Sequence, residues 1–256
     1  MTIPAPDAPA PPSIGMAALF MSVVAILMLT LALFLVASAA GSLVAVVLFG
    51  VAEVSGFMDR VKGASLAQGE PALVFMMQVV GLALYVCHIA AIWLIGTVGA
   101  KMPLARRVAW LDWGGDRQFW LLLAATIAYA LAADAIATWF VPDLRQTMAL
   151  PKDGIGLSIS LVAVCLAGPI AEELFFRGWI YTAMRARYSF ALTLMATSVL
   201  FALAHYESTH VYALVIFPVG AAFGFVRERY GSIKASAFFH ALYNLFGWTG
   251  VFLGFN

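Results

Sequence analysis

Glu172, Glu173 and Arg177 fall within six consecutive residues of an otherwise apolar stretch. On a helix, Glu173 and Arg177 are four apart, share a face and can pair, with the acid N-terminal to the base. Glu172 points about 100° away from its neighbour, and the position four residues beyond it is Phe176. One carboxylate is therefore neutralised by a cation and one is not, so the two should hold protons differently. That is the arrangement acid–base chemistry exploits, with Glu172 as the candidate general base. Histidines recur in the same half of the chain at His205 and His240, each in an i,i+4 pair: Phe201/His205 and His240/Asn244. Histidine can supply a proton, a hydrogen bond or a metal ligand. The asparagine adds a neutral amide donor of the kind that stabilises an oxyanion. His88 and Asp134 are also ionisable groups in apolar runs, and there a structural pair or a cavity-lining role is the simpler expectation.

The elements that must position these groups follow from composition. The chain has 256 residues, 64% of them hydrophobic and 11% charged, with a mean hydropathy of +0.97. A soluble domain carries about 45–50% apolar and about 25% charged residues, so this is expected to be an all-α, polytopic membrane protein. Fourteen basic against thirteen acidic residues leave no nucleic-acid footprint. Cys87 and Cys165 both lie in apolar runs, which argues against a structural disulfide.

A bilayer core takes about 20 helical residues, and the gaps between charges have that length. Spans are expected near 14–40 or 14–48, 71–98, 118–140, 155–183, 189–206, 210–226 and 235–254. That gives seven helices, or eight if the first run breaks at Gly41-Ser42, enclosing an intramembrane polar cavity. Residues 1–13 are Pro/Ala-rich and expected to be disordered, 14–150 form N-terminal transmembrane helices, and 151–256 hold the chemistry. The first run is too long for a cleaved signal peptide and lacks a basic leader. Lys101, Arg106, Arg107 and Arg117, then Arg185 and Arg187, then Arg227, Arg229 and Lys234 fall on one side by parity, the expected cytoplasmic side. Arg60, Lys62, Arg145 and Lys152 fall opposite, His210 sits at a span end, and tryptophans and tyrosines sit at the expected interfaces.

Counted from the bend at 184–188, Glu172 and His205 each lie roughly 22–24 Å along neighbouring antiparallel helices, at 1.5 Å per residue. They should meet. His240 lies only about 9 Å past Lys234 on the same rise, so the last helix must start deep, or the bundle must tilt.

EExxxR at Glu172–Arg177, FxxxH at Phe201–His205 and HxxxN at His240–Asn244, in that order and each in an apolar run, resemble the CPBP family. These are CAAX-processing and bacteriocin-processing intramembrane proteases, and the resemblance covers roughly residues 155–250. It implies peptide-bond hydrolysis in the membrane, with water activated by Glu172 and His205 and the oxyanion bound by His240 and Asn244. Arg177 would support Glu172 and Glu173. The implied substrate is a membrane-embedded or lipidated peptide in the bilayer, and the Ala/Pro-rich, Lys-poor composition points to a bacterial inner membrane. The family also carries a metalloprotease label. Glu172, His205 and His240 match a hydrolytic zinc set, which leaves Glu173 as base and takes His240 from the oxyanion. HExxH, GxSG and GxGD signatures are absent from the sequence. The competing reading is a non-catalytic transporter, or an immunity or accessory protein, on the same scaffold, since fold alone does not establish activity.

Overall fold

The structure, a computed structural model, describes residues 14–63, 71–98, 102–140, 150–151, 153–206 and 210–254, and of residues 210–212 the backbone alone. The N-terminal tail, Lys101, Arg145 and Lys152 lie outside the described residues, as does the side chain of His210. Among those described, nine helices and no strand occur: α1 (Met16–Phe49), α2 (Val51–Lys62), α3 (Pro71–Thr97), α4 (Leu104–Arg107), α5 (Arg117–Phe140), α6 (Gly154–Arg185), α7 (Phe190–Ala204), α8 (His210–Tyr230) and α9 (Ile233–Phe252). The chain is all-α, as composition required. Helices α1, α3, α5 and α6 are long and apolar enough to cross a membrane, and α7 is a shorter apolar helix.

The alternative break at Gly41-Ser42 does not occur. Helix α1 runs through it, because an interior glycine costs only about 1 kcal/mol and Ser42 Oγ bonds back to Ser38 O at 2.8 Å. The chain turns instead at Gly50, whose φ of 82° is open to glycine. The short helix α2 then carries Glu53, Asp59, Arg60 and Lys62.

The described chain divides into two compact units. Among the described residues, one takes in 14–21, 96–140 and 172–243 and contains the start of α1, α4, α5, the second half of α6, α7, α8 and part of α9. The other takes in 22–95, 147–171 and 244–256.

In the first unit α8 packs most extensively on α7, then on α5. Gly220 and Gly224, four apart on α8, make the close approach to α7 possible: a Cβ at Gly220 would lie 2.9 Å from Phe201 Cδ1, and one at Gly224 would lie 2.6 Å from Leu194 Cδ1. Such small-xxx-small spacing lets helix backbones approach where lipid supplies no hydrophobic drive. Pro218 interrupts the hydrogen bonding inside α8, and Tyr129 Oη of α5 donates to Val215 O at 3.4 Å beside it. A neighbouring helix thus serves a backbone that proline has disturbed.

Helix α9 begins in a buried position. Segment 108–116 wraps its start: Ile233 N–H donates to Ala109 O at 2.9 Å, Ser232 Oγ donates to Leu111 O, and Lys234 Nζ meets Asp112 at 2.6 Å. Ile233, Ala235 and Ser236 have no exposed surface. His240 itself is buried two turns further along, 4% exposed. Asp116 holds the neighbouring end of α8, accepting from Tyr230 Oη at 2.6 Å and pairing with Arg229 at 3.4 Å.

The Tyr230 hydroxyl, followed by the Phe119 amide, holds the Asp116 carboxyl below its ordinary range, and Lys234 does the same for Asp112. A carboxyl depressed on folding adds stability above its unfolded pKa and loses it as pH falls through the folded value. The detergent-solubilised protein is therefore expected to lose thermal stability as pH drops below the ordinary carboxylate range, with a flatter profile in Asp116→Asn. A substitution pair tests the helix contact. Gly220→Ala is expected to cost about 1–3 kcal/mol by overpacking against a buried ring. Gly224→Ala should cost less in the same thermal melt, because Leu194 can swing its methyl aside.

Candidate active site

The first unit brings Glu172, Glu173, Arg177, His205 and His240 together. Glu173 and Arg177 lie on α6, where the backbone loosens into a π-helical turn over Leu174–Ile180. Such turns are frequent at functional sites. Both side chains are fully buried, and Arg177 Nη1 donates to Glu173 Oε1 at 2.9 Å. Arg177 Nη2 donates to Gly220 O at 2.6 Å, so the glycine that admits α7 also presents a bare carbonyl to the guanidinium. The Phe201, Phe223 and Phe176 rings surround its carbon at 4.4, 5.4 and 5.9 Å from their centroids. Cation–π attraction strengthens when the cation is desolvated, which offsets part of the burial cost.

His205 caps α7. The helix stops at Ala204, and His205 N–H bonds to Ala202 O rather than to Phe201 O. The last carbonyls of a helix need outside donors, and His205 Nδ1 supplies one to Phe201 O at 2.8 Å. The imidazole lies against the Phe201 ring, 4.4 Å between centroids. A carbonyl only accepts, so Nδ1 carries the hydrogen and Nε2 of the neutral ring carries a lone pair. His240 reaches the same state by a different route. Its Nδ1 lies 3.2 Å from Glu173 Oε1, the oxygen that also takes Arg177. An ionised carboxylate accepts only, so Nδ1–H is again the donor. The Phe223 ring stacks on this imidazole at 4.2 Å and 27°.

Both Nε2 atoms face one oxygen. Glu172 Oε2 lies 3.7 Å from His205 Nε2 and 3.9 Å from His240 Nε2. Three acceptors this close need a proton-bearing species among them, and a water molecule, with two hydrogens to give, suits the spacing. The meeting of Glu172 and His205 is as the depth arithmetic required.

Zinc fits less well. Bonds of about 2.0–2.1 Å at tetrahedral angles put ligand atoms roughly 3.4 Å apart, closer than either separation here, and among the described residues no three His, Cys, Asp or Glu side chains form a group able to hold a metal ion. No step below is routed through a metal.

Asn244 belongs to the second unit. Its Nδ2 donates to Val164 O at 2.9 Å, a carbonyl in the π-helical turn Ala163–Ala167 of α6. His88 Nδ1 lies 2.9 Å from Thr30 Oγ1, and that hydroxyl donates to Ile26 O, so the ring N–H is the donor. Thr30, rather than Asp134, is the partner of that nitrogen. Asp134 is exposed on α5. Sequence reasoning missed Phe223 and Gly220. The small-xxx-small spacing of 220 and 224 was a usable signal for the glycine; a phenylalanine among nineteen offered none.

Residues 154–246 match the family of Rce1-like type II CAAX prenyl endopeptidases. The match spans all three motifs, running from the start of α6 into α9. Comparison with curated proteins and with solved structures returned no match. The family is one of proteases, and its signature lies in an integral membrane helix bundle here.

Removing one partner of a buried ion pair costs about 3–5 kcal/mol, so Arg177→Ala is expected to give little folded protein in detergent. The double variant Glu173→Leu/Arg177→Met is expected to recover the thermal transition and to remain without activity. A stable, active Arg177→Ala would show the pair to be dispensable.

Proposed function

We propose that the protein is an intramembrane endopeptidase that hydrolyses a peptide bond of a membrane-embedded or lipidated peptide, with Glu172 as the general base. The observation that carries this reading is the convergence of Glu172 Oε2 with two histidine Nε2 atoms at 3.7 and 3.9 Å, both rings fixed with Nδ1–H turned away. A water bound there hydrogen-bonds His205 Nε2 and gives its other proton to Glu172 as its oxygen attacks the substrate carbonyl carbon. Proton abstraction by a positioned carboxylate contributes about 10²–10⁴-fold. The site keeps some access: the Glu172 and His205 side chains are 19% and 29% exposed, against none for Glu173. Water can therefore reach the base without reaching the ion pair behind it.

In this reading residues 151–256 form the catalytic helices, and a peptide prenylated on a C-terminal Cys-a-a-X sequence is the first substrate to try. The expected site is the bacterial inner membrane.

Purified protein in lipid nanodiscs with such a peptide is the test. Glu172→Gln keeps the shape and removes the base; it is expected to lower kcat by about 10²–10⁴-fold while KM stays close to wild type. His205→Gln should lower kcat too. A chelator is expected to leave the rate unchanged. Full activity in Glu172→Gln would remove the carboxylate from the mechanism, and a chelator-sensitive rate restored by zinc would replace the metal-free scheme. Absence of cleavage in the wild type across prenylated and unmodified membrane peptides favours the transporter or accessory role.

A further inference from the structure

The two histidines differ in what stands behind them, and the difference assigns their roles. Behind His205 Nδ1 is a backbone carbonyl, Phe201 O at 2.8 Å. Behind His240 Nδ1 is a carboxylate, Glu173 Oε1 at 3.2 Å, itself fixed by Arg177 at 2.9 Å. A carboxylate on Nδ1–H holds an imidazole in one tautomer and stabilises the imidazolium that forms when Nε2 takes a proton. A neutral carbonyl does much less for the charged ring. The Phe223 face stacked on the His240 ring at 4.2 Å adds a cation–π partner for that same charge. His240 also has 5% side-chain exposure against 29% for His205, so its charge is shielded from water and depends on these neighbours.

We infer that His240 is the proton carrier to the leaving amine, with Glu173 as the positioning residue behind it, and that His205 serves the attacking water. The inference rests on the peptidase reading and deepens it. A neutral His240 with hydrogen on Nδ1 has no N–H to offer an oxyanion from Nε2, whereas its lone pair there faces the proton Glu172 acquires.

The water oxygen bonds to the carbonyl carbon and one water proton passes to Glu172. Glu172 hands that proton to His240 Nε2, 3.9 Å away, through one relaying water that is not consumed, regenerating its carboxylate. The imidazolium, paired with Glu173, gives the proton to the scissile nitrogen as the C–N bond breaks and its electron pair goes to nitrogen. The products are an amine and a carboxylic acid, and no other reactant is consumed. The charged and titratable groups facing His240 are Glu172 and Glu173 from α6, with Arg177 behind Glu173.

Leaving-group dependence separates this role from oxyanion binding. An amine must be protonated to leave; a thiolate need not be. The test uses one prenylated Cys-a-a-X peptide in nanodiscs and its thiodepsipeptide, in which sulfur replaces the scissile nitrogen. His240→Asn is expected to lower amide cleavage by about 10²–10⁴-fold and thioester cleavage by less than about tenfold. Glu173→Gln should show the same skew in whatever fraction folds, because a merely structural loss lowers both rates together. His205→Gln should lower both rates alike. Equal losses on the two substrates in His240→Asn would overturn the proton-carrier role while leaving the peptidase reading intact. A wild type that cleaves neither substrate would overturn both.

Discussion

A carboxylate and a guanidinium with no exposed surface, Glu173 and Arg177, set the terms for what packs around them. Ion pairs in an apolar interior do not stabilise by attraction alone, since desolvation of each partner costs several kcal/mol and must be met by good geometry and further hydrogen bonds. The surroundings meet that demand piece by piece. Gly220 gives its carbonyl, three phenylalanine rings give their faces, and His240 gives its Nδ1–H. Each of these groups comes from a different part of the chain, so the pair dictates how close α7, α8 and α9 must come to α6. The glycine is needed because any side chain there would strike Phe201.

From that pair, with Glu173 ionised, and from the end of α7 the hydrogen-bond pattern follows. Glu173, held ionised by the arginine, can only accept, so His240 must donate from Nδ1. Phe201 O, left over where α7 ends, can only accept, so His205 must donate from Nδ1 as well. Two unrelated pieces of local chemistry, a buried salt bridge and a helix terminus, thus turn two Nε2 lone pairs toward Glu172. A functional geometry here is the by-product of satisfying polar groups in a place where water cannot do it.

The amount of this legible in the sequence varied with the kind of physics involved. The helices were legible because charge is scarce, and the long gaps from Asp7 to Glu53 and from Glu70 to Lys101 admit few readings; of the seven expected spans, four are long and apolar enough to cross a membrane among the described residues. The pairing of Glu173 with Arg177, and the level of Glu172 with His205, followed from helical spacing and rise. What spacing could not give was anything set by contact between helices. The placing of the helix that carries His240 depends on Ser232 and Ile233 being gripped by segment 108–116, and no periodicity reports that grip. Of the two ends weighed for the first span the longer is the one found: Gly41 and Ser42 look like a break, but a serine that bonds back four residues keeps an apolar helix going past them. Asn244 matched its motif, yet its amide is engaged by a carbonyl that a π-helical turn leaves available. A sequence motif records which residue types recur, and it is silent on how each donor is spent.

Exposure completes the argument about direction. Along α6, two adjacent glutamates differ from 19% to no exposure within one residue, which is the 100° turn between successive helix positions seen as chemistry. The outer carboxylate is part-exposed, which suits the proton acceptor proposed for it. The inner one meets a cation and an imidazole, which suits the fixed negative charge proposed there. Exchanging the two tasks would require burying the water and hydrating the salt bridge, and the packing of Phe201 and Phe223 over Arg177 opposes both. The order of the two acids in the sequence therefore decides which is exposed and which is paired, and with it which is the base in the proposed mechanism.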